Sequence, residues 1–192
     1  MAHYAQQEFL INVRRHFLSY FIGKSLSDKI NVIDFGSQDI NGNNRFLFFN
    51  YNYTGVDIGP GNNVDIVSKT HEFQSDQTYD IVISTEALEH DMFWEKSIQR
   101  MVDLLKPGKL MLITCASTGR PEHGTVRSEG KDAFSSPLTA NIEEGDWMNY
   151  YRNITEYDIR SVLDIDKIFA SYQFFYNPEP HCDLYFYGLK AL

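Results

Sequence analysis

The sequence has only two cysteines, Cys115 and Cys182, far apart and in no C-x-x-C pair. A secreted disulfide scaffold carries more, and a zinc knuckle needs close Cys or His spacing, so both read as core thiols and no metal site is expected. Basic residues are also few: 17 Lys and Arg against 26 Asp and Glu leave a formal charge of −9. They are scattered rather than clustered, which argues against a nucleic-acid backbone as the main partner. No stretch stays apolar for the ~20 residues of a membrane span, and the N-terminus lacks a signal-peptide core. A cytoplasmic protein without membrane association is therefore expected. Internal repeats and low-complexity segments are missing as well.

What is present is enough for a real core. The 192 residues fit one domain, with 43% hydrophobic and 22% charged residues and abundant Tyr and Phe. Phe9, Leu10, Val13, Phe17 and Phe21 recur at helical spacing, so residues 4–22 read as an amphipathic helix ended by Gly23. Short apolar, β-branched runs follow: "INVIDF", "YTGVDI", "VDIV", "YDIVIS" and "KLMLITC". Between the last two, Trp94, Ile98, Met101, Val102 and Leu105 mark a helical face, with Asp91 to cap it and Pro107-Gly108 to stop it. Strands that are apolar throughout need cover on both faces, which predicts a doubly wound α/β fold around a mostly parallel sheet. Thr155 and Asp158 form a capping-box pattern, and "KIFASYQFFY" and "CDLYFYGLKA" around "NPEPH" predict a terminal antiparallel hairpin. The expected organisation is one domain: a helix in 1–29, a ligand-binding core in 30–115, a loop over the site in 116–153, and a helix with hairpin in 154–192. The aromatic hairpin is a candidate homodimer surface.

The first strand runs into "VIDFGSQDINGN", a loop that has Gly36 but not the G-x-G-x-x-G of a dinucleotide site. In an open α/β sheet the ligand lies at the carboxyl ends of the strands, so this loop is the place to look. Gly36 lets the backbone approach a ligand, and Asn41-Gly42 supplies positive-φ geometry. Asp57, ending the second strand, can accept both hydrogen bonds from ribose hydroxyls. Turn glycines and a solvated strand end are the plain alternative, and the combination of strand, glycine loop and spaced acid outweighs it.

Together "VIDFGSQDINGN", "YTGVDIGPGNNVDIV", "YDIVISTEALEH" and "LLKPGKLMLITCAS" resemble, in order and spacing, the class I S-adenosylmethionine-dependent methyltransferases. The resemblance covers about residues 30–117 and implies a seven-stranded Rossmann-like sheet with S-adenosylmethionine as cofactor. It implies that Asp34, Gly36 and Ser37 line the methionine and ribose part, that Asp57 holds the ribose hydroxyls, that Ile58 belongs to the cofactor site, and that Ser84, Thr85 and Glu86 border the methionine and transferring methyl. Glu89-His90 matches a frequent family pattern, with His90 read as fixing local geometry. One departure stands out: where many relatives have an acid for the adenine amino group, this chain has Lys69, which cannot accept that bond, so the backbone near Thr70 is the expected substitute. The cofactor has no phosphate, which makes Ser37, Gln38 and Asp39 tolerable in the loop.

For the acceptor side, His123 and Glu122 in "GRPEHGT" are the candidate catalytic bases. Arg120 and Arg152 are candidates for an anionic or hydroxyl-rich acceptor, and Trp147, Tyr150 and Tyr151 for an apolar wall; surface pairing and lid packing are the bland alternatives. The expected activity is methylation of a small molecule, with a hydroxyl of a sugar or glycan precursor as the candidate acceptor. A non-catalytic binding module on the same fold is the competing expectation, and a nicotinamide-dependent oxidoreductase a weaker one.

Overall fold

A computed structural model describes residues 3–130 and 147–192. Seven strands form one sheet: β1 (Ile30–Phe35), β2 (Tyr51–Asp57), β3 (Ile66–Val67), β4 (Tyr79–Thr85), β5 (Leu105–Ala116), β6 (Phe169–Asn177) and β7 (Asp183–Lys190). Their spatial order is β3-β2-β1-β4-β5-β7-β6, with β1 to β5 parallel and β7 antiparallel to both of its neighbours. This is the doubly wound sheet with a terminal hairpin that the apolar runs predict. The helices are α1 (Tyr4–His16), α2 (Trp94–Leu104), α3 (Val126–Glu129), α4 (Glu156–Val162) and α5 (Ile165–Ile168). The expected loop over 116–153 carries α3 in its described part, and its residues 131–146 lie outside the described residues.

Alternate side chains of the central strands go to opposite faces, as the pleat requires. Val32, Ile81, Ile83, Leu110 and Leu112 pack with Leu10 and Val13 of α1 and with Phe21, Leu47 and Phe48. Ile33, Val82, Met111 and Ile113 pack with Trp94, Ile98 and Met101 of α2 and with Ile159 of α4. Apolar burial on both faces is what lets the strands lack polar alternation.

Three boundaries differ from the sequence expectation. The first helix ends at His16, and a separate 3-10 turn at Leu18–Tyr20 precedes Phe21, which is fully buried; periodicity alone cannot register the break because Phe17 and Phe21 stay apolar on both sides of it. β3 is only Ile66–Val67, because the Asp65 carboxylate and amide already bind Gly55, at 2.7 and 2.8 Å. α2 stops at Leu104 rather than at Pro107-Gly108. Residues 106–109 then fall at a register shift in β5, where Lys106 and Lys109 each meet Asp80 at 3.0 Å. Asp91 accepts the Phe93 amide at 2.8 Å, one residue ahead of the helix, and also the Ser97 hydroxyl. The capping box at α4 forms as written: Thr155 and Asp158 exchange side-chain to backbone hydrogen bonds.

Candidate functional site

At the carboxyl ends of β1, β2 and β4 the strands open into a cleft, where the strand order reverses between β1 and β4 and leaves space between neighbouring loops. β1 and its loop supply Asp34, Gly36 and Ser37; β2 supplies Asp57 and Ile58; Thr70 follows β3; Ser84, Thr85 and Glu86 come from the end of β4. The structure thus brings all nine of the residues expected to hold the cofactor to one cleft.

Gly36 has φ +77°, and a Cβ on it would lie 2.2 Å from Ala87 Cβ, so the loops after β1 and β4 touch through a position that only glycine fills without strain. Asp34 is buried beneath them. Its Oδ2 accepts from the Tyr53 hydroxyl and from Asn44 Nδ2 (3.0 Å), while its Oδ1 has no hydrogen-bond partner among the described residues. Burial pushes the Asp34 carboxyl up to about 7. Asp57 accepts the Gln38 amide at 3.0 Å, and burial raises its pKa as well. Ser84 Oγ is buried with no partner among the described residues, whereas the Ser37 hydroxyl is turned into the loop, donating to Asn63 O at 3.1 Å.

Lys69 lines the cleft with its ammonium 3.3 Å from Glu72, and Thr70 begins a 3-10 turn beside it. Glu86 adopts a positive φ of 52° and is buried, which raises its pKa. Behind it Glu89 is fully buried and pushed up to about 8 by that burial and then by the charge of Glu86. His90 lines the cleft, and burial, followed by the neighbouring His123, pulls its imidazole down to about 3.

The acceptor-side candidates divide. Trp147 lines the cleft. His123 and Tyr151 do not line it, yet they form a ring cluster with His90, at centroid distances of 5.3 Å for His90 to His123, 5.4 Å for His90 to Tyr151 and 5.1 Å for His123 to Tyr151. Tyr150 packs against the core beside α2. Glu122 is outside the cleft lining, its carboxylate held by Arg127 at 2.8 Å and by Thr125. Both arginines also point elsewhere: Arg120 pairs with Asp183 (3.5 Å) and donates to His181 O (2.6 Å), and Arg152 pairs with Asp158 at 2.5 Å. Asn44 and Tyr53, which fix Asp34, were not singled out in the sequence. The parallel pairing Asp34 to Gly55 places Tyr53 two residues from the register partner, on the same face, and parity along β2 is the signal that finds it.

A family profile described as "Methyltransferase domain" matches residues 1–175. The chain belongs to the class I S-adenosylmethionine-dependent methyltransferases. No curated protein matches this methyltransferase at a significant level of similarity. Among solved structures it is similar to the N-methyltransferase NodS of Bradyrhizobium japonicum bound to S-adenosylhomocysteine, with 14% identity, TM-score 0.56, and 96% of this chain and 87% of that chain covered. It is also similar to a 1,6-didemethyltoxoflavin-N1-methyltransferase of Burkholderia thailandensis (16%, TM-score 0.55, 100% and 93% covered). A third is an rRNA methylase of Streptococcus thermophilus (13%, TM-score 0.52, 95% and 96% covered). At these identities the likeness is one of fold.

S-Adenosylmethionine is the family's cofactor, and the cleft suits it. Carboxylates at Asp34 and Asp57 fit ribose hydroxyls and a cationic ammonium or sulfonium, and the unpartnered Asp34 Oδ1 and Ser84 Oγ offer hydrogen bonds. Among the lining residues, Lys69 is the sole Lys or Arg, as suits a ligand without phosphate. No helix among the described residues is long and apolar enough to cross a membrane.

Proposed function

We propose that this methyltransferase acts on a small molecule, and that the acceptor atom is a hydroxyl oxygen of a sugar or glycan precursor. The cofactor supplies an electrophilic methyl group on a sulfonium. The chain's residues hold donor and acceptor in line and near contact, which provides much of the acceleration in such a displacement.

The observation that carries the reading is the ring cluster of His90, His123 and Tyr151, which meets the cleft through His90, with Trp147 also in the cleft lining. An amine acceptor needs only desolvation and alignment, whereas a hydroxyl needs a group to take up its proton. His123 is our candidate. Its Nδ1 is 3.1 Å from Pro121 O and donates to it, which leaves Nε2 as the lone-pair nitrogen. Burial lowers its pKa, so the imidazole is neutral at physiological pH. Glu122 serves instead to hold the Arg127 side chain against the loop, and Arg120 and Arg152 act as tethers rather than acceptor ligands. The Burkholderia enzyme is by name a methyltransferase of 1,6-didemethyltoxoflavin, a small molecule, which supports the acceptor size; it and NodS are N-methyltransferases by name, so the acceptor atom is left to experiment.

The test is a screen of hydroxyl and amine metabolites, read by S-adenosylhomocysteine release. Release with sugar hydroxyls, weakened in His123→Ala, is expected. Turnover with amines alone would overturn the hydroxyl assignment. Absence of turnover with any pool, from protein that binds the cofactor, would favour a binding module.

A further inference from the structure

We propose that Glu89, His90 and His123 form a divalent-cation site of the two-histidine, one-carboxylate type beside the methyl-transfer cleft. One ligand atom from each lies within 4.8 Å of the other two. Bonds of ~2.1 Å to one ion bring such donors to roughly 3.4 Å of one another. Small side-chain rotations cover the difference, and the two imidazole planes, 87° apart, can aim at a common point where stacked rings cannot.

Two features point to a ligand rather than to packing. First, Glu89 is fully buried, and neither carboxylate oxygen has a hydrogen-bond partner among the described residues. A buried carboxyl of this kind either keeps its proton or takes a cation, and a divalent ion can displace that proton. The two arginines of the neighbouring loop are committed to Asp183 and Asp158, and no ion pair among the described residues reaches Glu89. Second, His123 is set in the tautomer that metals bind: Pro121 O takes the Nδ1 proton, and Nε2 is buried with no hydrogen-bond partner among the described residues. A backbone carbonyl on the distal nitrogen is the usual outer support of a metal-bound imidazole. Imidazole and carboxylate ligands suit Mn2+, Fe2+, Co2+ and Zn2+.

His90 lines the cleft, so the cluster adjoins the space where an acceptor would lie. The proposal deepens the hydroxyl reading and rests on it for that last step: with an ion bound, His123 is a ligand, and the acceptor hydroxyl would bind the ion, which lowers its pKa and lets its proton pass to solvent water rather than to His123.

The experiment is Mn2+ titration of the full chain, first freed of metal with a chelator, followed by electron paramagnetic resonance, with Zn2+ as competitor. Saturable one-to-one binding is expected, weakened at least about tenfold by His123→Ala and by Glu89→Gln. His123 is on a half-buried loop, so its variant keeps the test decisive if Glu89→Gln does not fold. No binding of either ion at millimolar concentration, or binding that neither substitution weakens, would overturn the site. Failure of the acceptor reading shows separately, as bound Mn2+ with no S-adenosylhomocysteine release from any hydroxyl acceptor; that result keeps the site and removes its assigned role.

Discussion

At the scale of single residues the cleft is set by contacts that leave no freedom to substitute. An alanine at Gly36 would meet Ala87 Cβ at 2.2 Å in a backbone conformation of φ +77°. Gly36→Ala is expected to lower stability by about 2–4 kcal/mol, the sum of positive-φ strain and overpacking, and to weaken S-adenosylmethionine binding. Pairing it with Ala87→Gly should restore only the packing part, a comparison that denaturant unfolding can read. Asp34 gives a pH dependence of definite sign. Its folded pKa, about 7, lies above the ordinary 3.8, so from pH ~4 to ~7 the folded state holds the proton more tightly than the unfolded chain. The contribution to stability is complete below ~4 and is lost as pH rises to ~7. A cationic ligand favours the carboxylate, so affinity for S-adenosylmethionine should rise with pH, by up to about tenfold per unit, and level off above ~7. Calorimetry across pH 5–8 checks this, and Asp34→Asn should flatten the profile. An unchanged slope in the variant would assign the linkage to another group.

Between elements, two ties hold the helices in place. The Thr155 and Asp158 capping box starts α4, whose Ile159 is in the core, and Thr155→Ala should cost about 1 kcal/mol in chemical denaturation. The second tie is Asp183 at the head of β7. It is fully buried, 2.6 Å from His3 Nε2 at the cap of α1 and 3.5 Å from Arg120. Asp183→Ala takes a partner from three polar groups, His3, Arg120 and the Tyr185 hydroxyl that donates to it at 3.2 Å, and should destabilise by roughly 3–5 kcal/mol, seen as a lower Tm. The box is legible in the sequence because its partners are three residues apart. The Asp183 cluster is not, since it joins positions 3, 120 and 183 through the sheet. The same contrast divides the candidate site. Gly36, Asp57 and Ser84 to Glu86 are readable because a strand end is a local event and the fold places strand ends together. Asn44 and Tyr53 under Asp34 depend on the register of β1 with β2. The Glu89, His90 and His123 cluster depends on how the loop after β5 folds back, which no spacing between cysteines or histidines announces.

Across the whole molecule, the two faces of the sheet are covered unequally, and this was the least legible part of the fold. Apolar strands announce that both faces are buried without saying by what. The connection from β1 to β2, residues 36–50, has only a 3-10 turn at Asn44–Leu47 where a parallel crossover usually carries a helix. On that side α1 and the side chains of Phe21, Leu47 and Phe48 provide the cover, whereas α2 and α4 share the opposite face. A face resting on one helix from the start of the chain has little redundancy. Leu10→Ala, at a 1% exposed position, should therefore cost about 3 kcal/mol or more. Removal of residues 1–16 would uncover Val32, Ile81, Leu110 and Leu112 together, a contiguous apolar surface that favours aggregation. The expected result is a truncated chain that binds a hydrophobic dye and sediments as aggregate. A truncated chain that stayed monomeric and still bound S-adenosylmethionine would show that the aromatic layer of Phe21 and Phe48 suffices as cover, and that α1 serves the Asp183 tie rather than the core.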